Sequence, residues 1–196
     1  MVGKKIKVLS LFSGCGGMDL GFEGGFEVLA TSYNKSVHPD WNVKKSMRSG
    51  WIMLGKTPFT TVFANDIRKD AKSAWVNYFS KRGHKQNTYY VESIVDLVKR
   101  AKNNEDIFPK GVDIVTGGFP CQDFSVAGKR KGFSSDKSHD GNKIVDNSIA
   151  SIESRGSLYI WMKEVISIVQ PKLFVAENVK AVSYTHLRAH ETSLHL

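Results

Sequence analysis

The sequence predicts an α/β fold with a doubly wound, mostly parallel sheet. Short apolar runs typical of strands alternate along the chain with segments whose apolar residues recur at helical spacing. Two glycine-rich turns, at residues 13–17 and 117–118, each follow an apolar run. This alternation is typical of parallel sheets with crossover helices, whose functional groups gather at the carboxyl ends of the strands. We therefore expect that edge to carry residues 13–17, 66, 117–122 and 177–178.

Composition indicates a globular chain, and its positive charge leaves two interpretations open, an anionic partner or merely a soluble basic surface. The chain has 196 residues, 41% of them hydrophobic and 24% charged, which is ordinary for one globular domain. Its net charge of +9 favours polyanions, with nucleic acid first. No apolar run is long enough to span a bilayer. The two cysteines, Cys15 and Cys121, each lie in a glycine-containing turn, a usage that fits a reducing cytoplasm.

The first β-α unit has the features of a nucleotide-binding turn. Residues 6–12 form a predicted buried strand, residues 13–17 a glycine-rich turn, and a helix starts near Met18. Glycines let a ligand approach the backbone, and a helix start offers unpaired N–H groups. The spacing differs from the dinucleotide pattern G-x-G-x-x-G, so nicotinamide and flavin cofactors are disfavoured.

The second predicted strand, residues 61–64, delivers an acidic residue to the same edge. Asp66 follows it and is placed to accept hydrogen bonds from ribose hydroxyls. It can equally cap the helix that follows, and both roles are compatible. The apolar residues of that helix recur at helical spacing: Ile67, Ala71, Ala74, Trp75, Tyr78 and Phe79.

A long segment between these units, residues 38–58, has no clear periodicity and is predicted to be irregular. It mixes lysines and Arg48 with Trp41 and Trp51. Such a mixture can follow a nucleic-acid backbone. We favour the alternative, a solvated insertion.

A cysteine follows the predicted central strand. Residues 89–91 are predicted to form a strand, residues 94–101 an amphipathic helix, and residues 112–116 the central strand. Gly117-Gly118-Phe119-Pro120-Cys121-Gln122 then holds a thiol in a turn made rigid by Pro120. Cys121 is a candidate nucleophile, and a buried structural cysteine is the alternative.

The last predicted unit brings a carboxyl group to the edge. Residues 125–133 form a basic loop suited to a phosphate backbone, and residues 158–169 a helix with one apolar face. Pro171 ends that helix, and a strand at residues 173–176 delivers Glu177 and Asn178.

In this order the motifs resemble those of cytosine-5 DNA methyltransferases over about residues 5–182. The matching stretches are Phe12-Ser13-Gly14-Cys15-Gly16-Gly17 with residues 19–22, Gly118-Phe119-Pro120-Cys121-Gln122, Arg155-Gly156-Ser157-Leu158 and Glu177-Asn178-Val179. The resemblance implies a Rossmann-like, S-adenosylmethionine-dependent methyltransferase fold that is incomplete at its C-terminal side.

The resemblance also implies the cofactor contacts. It places S-adenosyl-L-methionine near Phe12, Gly14, Cys15, Gly16 and Gly17, the ribose on Asp66 and the adenine beside Ile67. Gly118, Pro120 and Leu158 match further contacts. Ser93 stands where the family usually has an acidic residue on the adenine, which leaves that contact open between Ser93 and Glu92.

The implied chemistry is methylation of carbon 5 of cytosine in double-stranded DNA, on a base flipped out of the stack. Cys121 attacks carbon 6, and Glu177 donates to ring N3, a role that needs a carboxyl kept partly neutral by burial. Gln122, Ser125 and Asn178 are placed to hold the flipped nucleotide. We expect a bacterial or phage enzyme, cytoplasmic and monomeric, with no metal and with a possible cognate restriction endonuclease.

The last stretch, residues 183–196, does not continue the family pattern, and we interpret it as an artefact or a disordered tail. We expect the partial catalytic domain, residues 1–182, to expose an apolar edge at strand 173–176 and to be inactive alone. Two alternatives stay open: a tRNA cytosine-5 methyltransferase, and a non-catalytic nucleic-acid or cofactor-binding module.

Overall fold

The computed structural model describes residues 4–119 and 158–178. Within these ranges the chain alternates strands and helices around one parallel sheet, with a smaller antiparallel sheet inserted after the first helix. In chain order the elements are β1 (Ile6–Leu11), α1 (Gly17–Glu23), β2 (Glu27–Leu29), β3 (Val43–Lys45), β4 (Trp51–Leu54), β5 (Phe59–Asp66), α2 (Lys69–Phe79), β6 (Tyr89–Val91), α3 (Ile94–Lys102), β7 (Ile114–Gly118), α4 (Leu158–Val169) and β8 (Leu173–Glu177).

The large sheet has the order β6-β5-β1-β7-β8, and all four of its strand pairs are parallel. The chain builds outward from β1 to β6 on one side and then returns to β7 and β8 on the other. The order therefore reverses between β1 and β7, which is the switch point where doubly wound sheets bind ligands. The predicted fold class is confirmed.

Helices cover both faces of this sheet. On one face Leu9, Leu11 and Val115 pack in a buried cluster with residues of α3 and α4. On the other face Ala64 packs with Trp75 and Phe79 of α2, with Leu20 of α1 beside them. Because strands buried on both faces read as continuous apolar runs, this arrangement explains why the strand signal was clear in the sequence.

Strand bounds differ from the prediction by a few residues. The strand predicted at residues 61–64 extends over Phe59–Asp66, and the one predicted at residues 112–116 is Ile114–Gly118. Both glycines of the cysteine turn therefore still belong to β7. Asp113 ends up before β7, where its carboxylate accepts hydrogen bonds from the backbone N–H of Lys7 and from Lys172 Nζ.

The prediction that residues 38–58 are irregular was wrong. They contain β3 and β4, which join β2 in an antiparallel sheet of order β2-β4-β3. Each strand is only three or four residues long, too short for an alternating pattern to stand out. In the described ranges, no helix is long and apolar enough to cross a membrane.

Candidate active site

The glycine turn lies at the carboxyl end of β1 and has an open backbone. Phe12, Gly14 and Gly16 have φ values of 53°, 52° and 89°. A Cβ added at Gly14 or Gly17 would meet no atom within 4 Å. Cys15 between them is exposed and unpaired by any disulfide. The turn thus presents backbone, rather than side chains, to whatever binds at this edge.

Two side chains from neighbouring strands hold the turn. Gly14 N donates to Asp66 Oδ2 at 3.1 Å, and the Tyr89 hydroxyl donates to Gly14 O at 2.9 Å. The turn is also tied to β5 through its backbone, because Ser13 N donates to Asn65 O at 2.8 Å. The predicted convergence of residues 13–17 with Asp66 is therefore present in the structure.

Asp66 also serves the start of the next helix. Its Oδ1 accepts from Arg68 N at 3.1 Å, although the N-cap position of α2 is Arg68 and no side chain caps it. The carboxylate is half-buried, and each of its oxygens keeps lone-pair capacity for a further donor. Ile67 beside it is 44% exposed, so both residues are accessible at the edge.

A buried pair lies beneath the turn. Trp75 Nε1 donates to Asp19 Oδ2 at 2.6 Å. Trp75 Cδ1 and Phe79 Cε2 lie so close to Gly16 that a Cβ there would come within 2.6 Å and 2.5 Å of them. Burial raises the pKa of Asp19 to about 6, against the hydrogen bond from Trp75. Only glycine fits at position 16.

The candidate catalytic carboxyl lies across the switch point from this turn. In the β7–β8 pairing Gly118 is opposite Glu177, and Glu177 Oε2 is 3.1 Å from where a Cβ on Gly118 would be. Met18 Cε, from the first turn of α1, is 4.0 Å from the same point. Glu177, Gly118 and the start of α1 therefore meet at one edge.

One expectation for Glu177 is corrected. Its side chain is exposed rather than buried, because β8 is the last strand of the sheet in the described ranges and no element there covers it. The burial that would keep the carboxyl partly neutral is therefore not supplied by the described residues.

The segment that precedes the cysteine is anchored to β8. Asn178 Nδ2 donates to Phe119 O at 3.1 Å, and Phe119 packs against the core. The remaining predicted residues of this turn and loop fall outside the described ranges: Pro120, Cys121, Gln122 and Ser125. Their roles stay predictions.

Two other predicted positions have structural partners. Leu158 is buried in the cluster between the sheet and α4. Ser93 caps α3, its hydroxyl accepting from Val95 N at 3.3 Å, while the carboxylate of Glu92 binds Arg100 at 2.8 Å. The negative charge of the Glu92 carboxylate is thus already paired with an arginine.

Sequence reasoning missed the support beneath the turn, namely Trp75, Tyr89 and the buried state of Asp19. Trp75 and Tyr89 were expected only as helix and strand residues. The glycine at position 16 was the available signal, because a glycine in such a turn often marks a place where large buried side chains pack directly against the backbone.

The open backbone at Gly14 and Gly17 and the accessible Asp66 fit a ligand that carries a ribose and needs close backbone approach. Within the described ranges, no cluster of three or more histidine, cysteine or acidic residues could hold a metal ion. A glycine turn beside the switch point, with a carboxylate at the same carboxyl edge of a parallel sheet, defines an α/β domain of the doubly wound, ligand-binding class.

Comparison with known proteins narrows this class. Residues 44–194 match the family model described as C-5 cytosine-specific DNA methylase. The chain is 32% identical over 182 residues to Type II methyltransferase M.BsuRI of Bacillus subtilis, covering 91% of this chain and 33% of that protein. It is 33% identical over 180 residues to Type II methyltransferase M.BspRI of Lysinibacillus sphaericus, covering 91% of this chain and 34% of that protein. It is 40% identical over 137 residues to Type II methyltransferase M.PspPI of a Psychrobacter strain, covering 69% of this chain and 26% of that protein.

The chain belongs to the C-5 cytosine-specific DNA methylase family. It spans about a third of the length of the curated relatives M.BsuRI and M.BspRI.

Proposed function

We propose that this chain supplies the cofactor-binding and catalytic part of an enzyme that transfers a methyl group from S-adenosyl-L-methionine to carbon 5 of cytosine in DNA. The observation that carries the proposal is the contact between Gly14 N and Asp66 Oδ2 at the carboxyl edge of the sheet, in a chain of the DNA methylase family. We place the reaction in the cytoplasm of a bacterium, as a modification activity that a cognate restriction endonuclease can accompany.

The cofactor would lie along the glycine turn. Its ribose hydroxyls would donate to Asp66, its adenine would lie beside exposed Ile67, and backbone of residues 12–17 and of Gly118 would contact the remainder. Bound there, it supplies an electrophilic methyl group. The residues of the glycine turn would orient that group, and the glycines leave its path free of side chains.

The target base would enter between this turn and the end of β8. The Cys121 thiolate adds to carbon 6, which moves the ring's electron pair towards carbon 5 and makes it nucleophilic. Glu177 shares a proton with N3 and so stabilises the negative charge that develops on the ring. After methylation the proton on carbon 5 passes to solvent water, and its electron pair forms the double bond between carbons 5 and 6 as the bond from sulfur to carbon 6 breaks. This restores the ring and the thiolate, and N3 returns its shared proton to Glu177.

Exposed Glu177 does not rule out this role. A base bound against it would displace water from the carboxyl and leave ring N3 as its hydrogen-bond partner. Gln122, Ser125 and Asn178 would hold the flipped nucleotide. Asn178 would contribute through its hydrogen bond to Phe119 O, because that bond fixes the start of the segment that carries Cys121.

Two assays test the proposal. S-adenosylmethionine binding to the 196-residue chain, measured by calorimetry, should be lost in Asp66→Ala and retained in Asp70→Ala, a nearby exposed carboxylate control. Covalent trapping on duplex DNA carrying 5-fluorocytosine, with the complete reading frame that contains this chain, should require Cys121 and fail in Cys121→Ser. Trapping that survives this substitution would refute the mechanism.

The alternatives predict different results. A tRNA cytosine-5 methyltransferase would transfer labelled methyl to tRNA in preference to DNA. A non-catalytic binding module would keep its binding function in Cys121→Ala and would give no trapped adduct.

A further inference from the structure

We infer that the outward face of the small sheet β2-β4-β3 is a second DNA-contacting surface, which binds the phosphate backbone of the duplex through Lys44 and Arg48. This inference rests on the proposed action on DNA. It concerns a surface that contains none of the candidate cofactor or catalytic residues.

The strand register assigns residues to the two faces of this sheet. Lys44, Met53 and Glu27 are directly opposite one another across the three strands, and so share a face. Because side chains alternate along a strand, Trp51 lies on the same face as Met53. The opposite face carries Leu54, paired with Val43.

The face with Leu54 points inward. Leu54 lines a cavity of about 670 Å³ between the small sheet and α1, together with Phe22 and Met18. None of Lys44, Met53, Glu27 or Trp51 lines it. The Leu54 face is therefore the one towards α1, and the face with Lys44 and Trp51 is the opposite one. Since Met18 also reaches Gly118, the small sheet lies alongside the helix that leads to the candidate active site.

On the outward face the guanidinium of an arginine stacks on an aromatic ring. Arg48 Cζ lies 4.1 Å from the centre of the Trp51 ring, and its side chain is 61% exposed. Glu27 Oε2 is 3.7 Å from Arg48 Nη1. A guanidinium stacked on an indole loses little freedom on binding and keeps its N–H edge available for a phosphate.

The turn that carries Arg48 is fixed by its own hydrogen bonds. Arg48 N donates to Ser46 Oγ at 3.0 Å, and Trp51 N donates to Arg48 O at 3.1 Å. Ser46 in turn donates to Glu27, and Gly50 takes a φ of 77° that favours glycine. The position of the guanidinium is thus set before any partner binds.

Charge favours a polyanion as the occupant. Residues 27–58 carry five cations, Lys35, Lys44, Lys45, Arg48 and Lys56, against two carboxylates, Glu27 and Asp40, a net charge of +3 out of +9 for the chain. Lys44 is exposed and forms no ion pair with a described residue. A lysine on an edge strand such as β3 can also serve only to prevent strand pairing, but that role does not explain Arg48, which lies in the turn.

The test is the salt dependence of DNA binding by the 196-residue chain. Fluorescence anisotropy with a labelled 20-base-pair duplex is measured from 50 to 300 mM NaCl, without cofactor. For Lys44→Ala/Arg48→Ala we expect the slope of log K against log salt to become shallower by about 1.8, since each phosphate contact contributes about 0.9. At 50 mM NaCl the affinity should fall about tenfold or more.

Lys81→Ala/Lys85→Ala is the matched control, because it removes the same charge from exposed positions beyond α2. Its slope should stay that of the unmodified chain. Equal slopes for the two double variants, no DNA binding by the unmodified chain, or an effect seen only with duplex RNA or acidic phospholipid vesicles would each overturn the inference. Since no cofactor or methyl transfer enters this assay, its failure is distinct from failure of the trapping experiment.

Discussion

Trp75 Nε1 donates a 2.6 Å hydrogen bond to Asp19 Oδ2, joining two residues 56 positions apart beneath the glycine turn. Asp19 is fully buried and its Oδ1 has no partner among the described residues. The pair fixes the indole directly under Gly16, whose backbone is at the candidate cofactor site. The shape of the turn therefore depends on a carboxyl that no ligand would touch.

Asp19→Asn should stabilise the protein most at neutral pH. Burial raises the pKa of Asp19 from 3.8 to about 6, so the folded state binds this proton more tightly than the unfolded state. The protonated form is favoured below pH 3.8, and its contribution to stability is lost as the pH rises through 6. The neutral amide keeps an acceptor for Trp75 and avoids that loss.

The measurement is urea unfolding of both proteins at pH 4, 5, 6, 7 and 8. The free energy of unfolding of Asp19→Asn minus that of the unmodified chain should rise by about 2 kcal/mol from pH 4 to pH 8, at 1.36 kcal/mol per pKa unit. A difference that does not change with pH would contradict the raised pKa.

Gly16→Ala should lower the free energy of unfolding, and Gly17→Ala should leave it unchanged. At Gly16 a Cβ meets Phe79 and Trp75 inside 2.7 Å and the φ is 89°, whereas Gly17 has open space. Left-handed strain and overpacking together should cost about 3 kcal/mol. Thermal unfolding followed by circular dichroism measures both variants, and equal midpoints would show that the turn relaxes.

Asp66→Asn should loosen the turn. An amide can replace only one of the two carboxylate oxygens as an acceptor, so either Gly14 N or Arg68 N loses its partner. We expect a stability loss of about 1 kcal/mol and cofactor affinity lowered by about tenfold. Calorimetry and urea unfolding test this, with Asp70→Asn as a control that should change neither.

Phe174→Lys should reduce self-association. Leu173 and Phe174 on β8 are each 55% exposed, and β8 is an edge of the sheet in the described ranges. Exposed apolar edge strands pair with other chains, and a lysine prevents this. Sedimentation velocity should show fewer large species for Phe174→Lys, whereas Ile168→Lys, the same type of change on the outside of α4, should leave them unaltered.

Much of the large sheet was predictable because its strands are short, mostly apolar runs. Residues 89–91 and 173–176 are apolar without interruption, and residues 6–12 are interrupted only by Lys7 and Ser10. Each run was placed within a residue or two of the observed strand. The meeting of the glycine turn with Asp66 followed from strand direction alone, because parallel strands end at the same edge.

The small sheet and the support beneath the turn were not predictable in this way. Three-residue strands such as β3 show no period, and the contact between Asp19 and Trp75 joins positions too distant for any local pattern. Exposure of Glu177 depends on which elements cover β8, and that is a property of the packed molecule.

The β7–β8 register has a consequence for how this family can vary. Gly118 faces Glu177 across the pair, and neighbouring residues of a strand point to opposite faces. Removing one residue from β8 would bring Asn178 opposite Gly118 and move the Glu177 carboxylate to the other face of the sheet. The backbone hydrogen bonds between β7 and β8 would be kept. Natural relatives should therefore tolerate replaced side chains along β8 far more readily than a changed length.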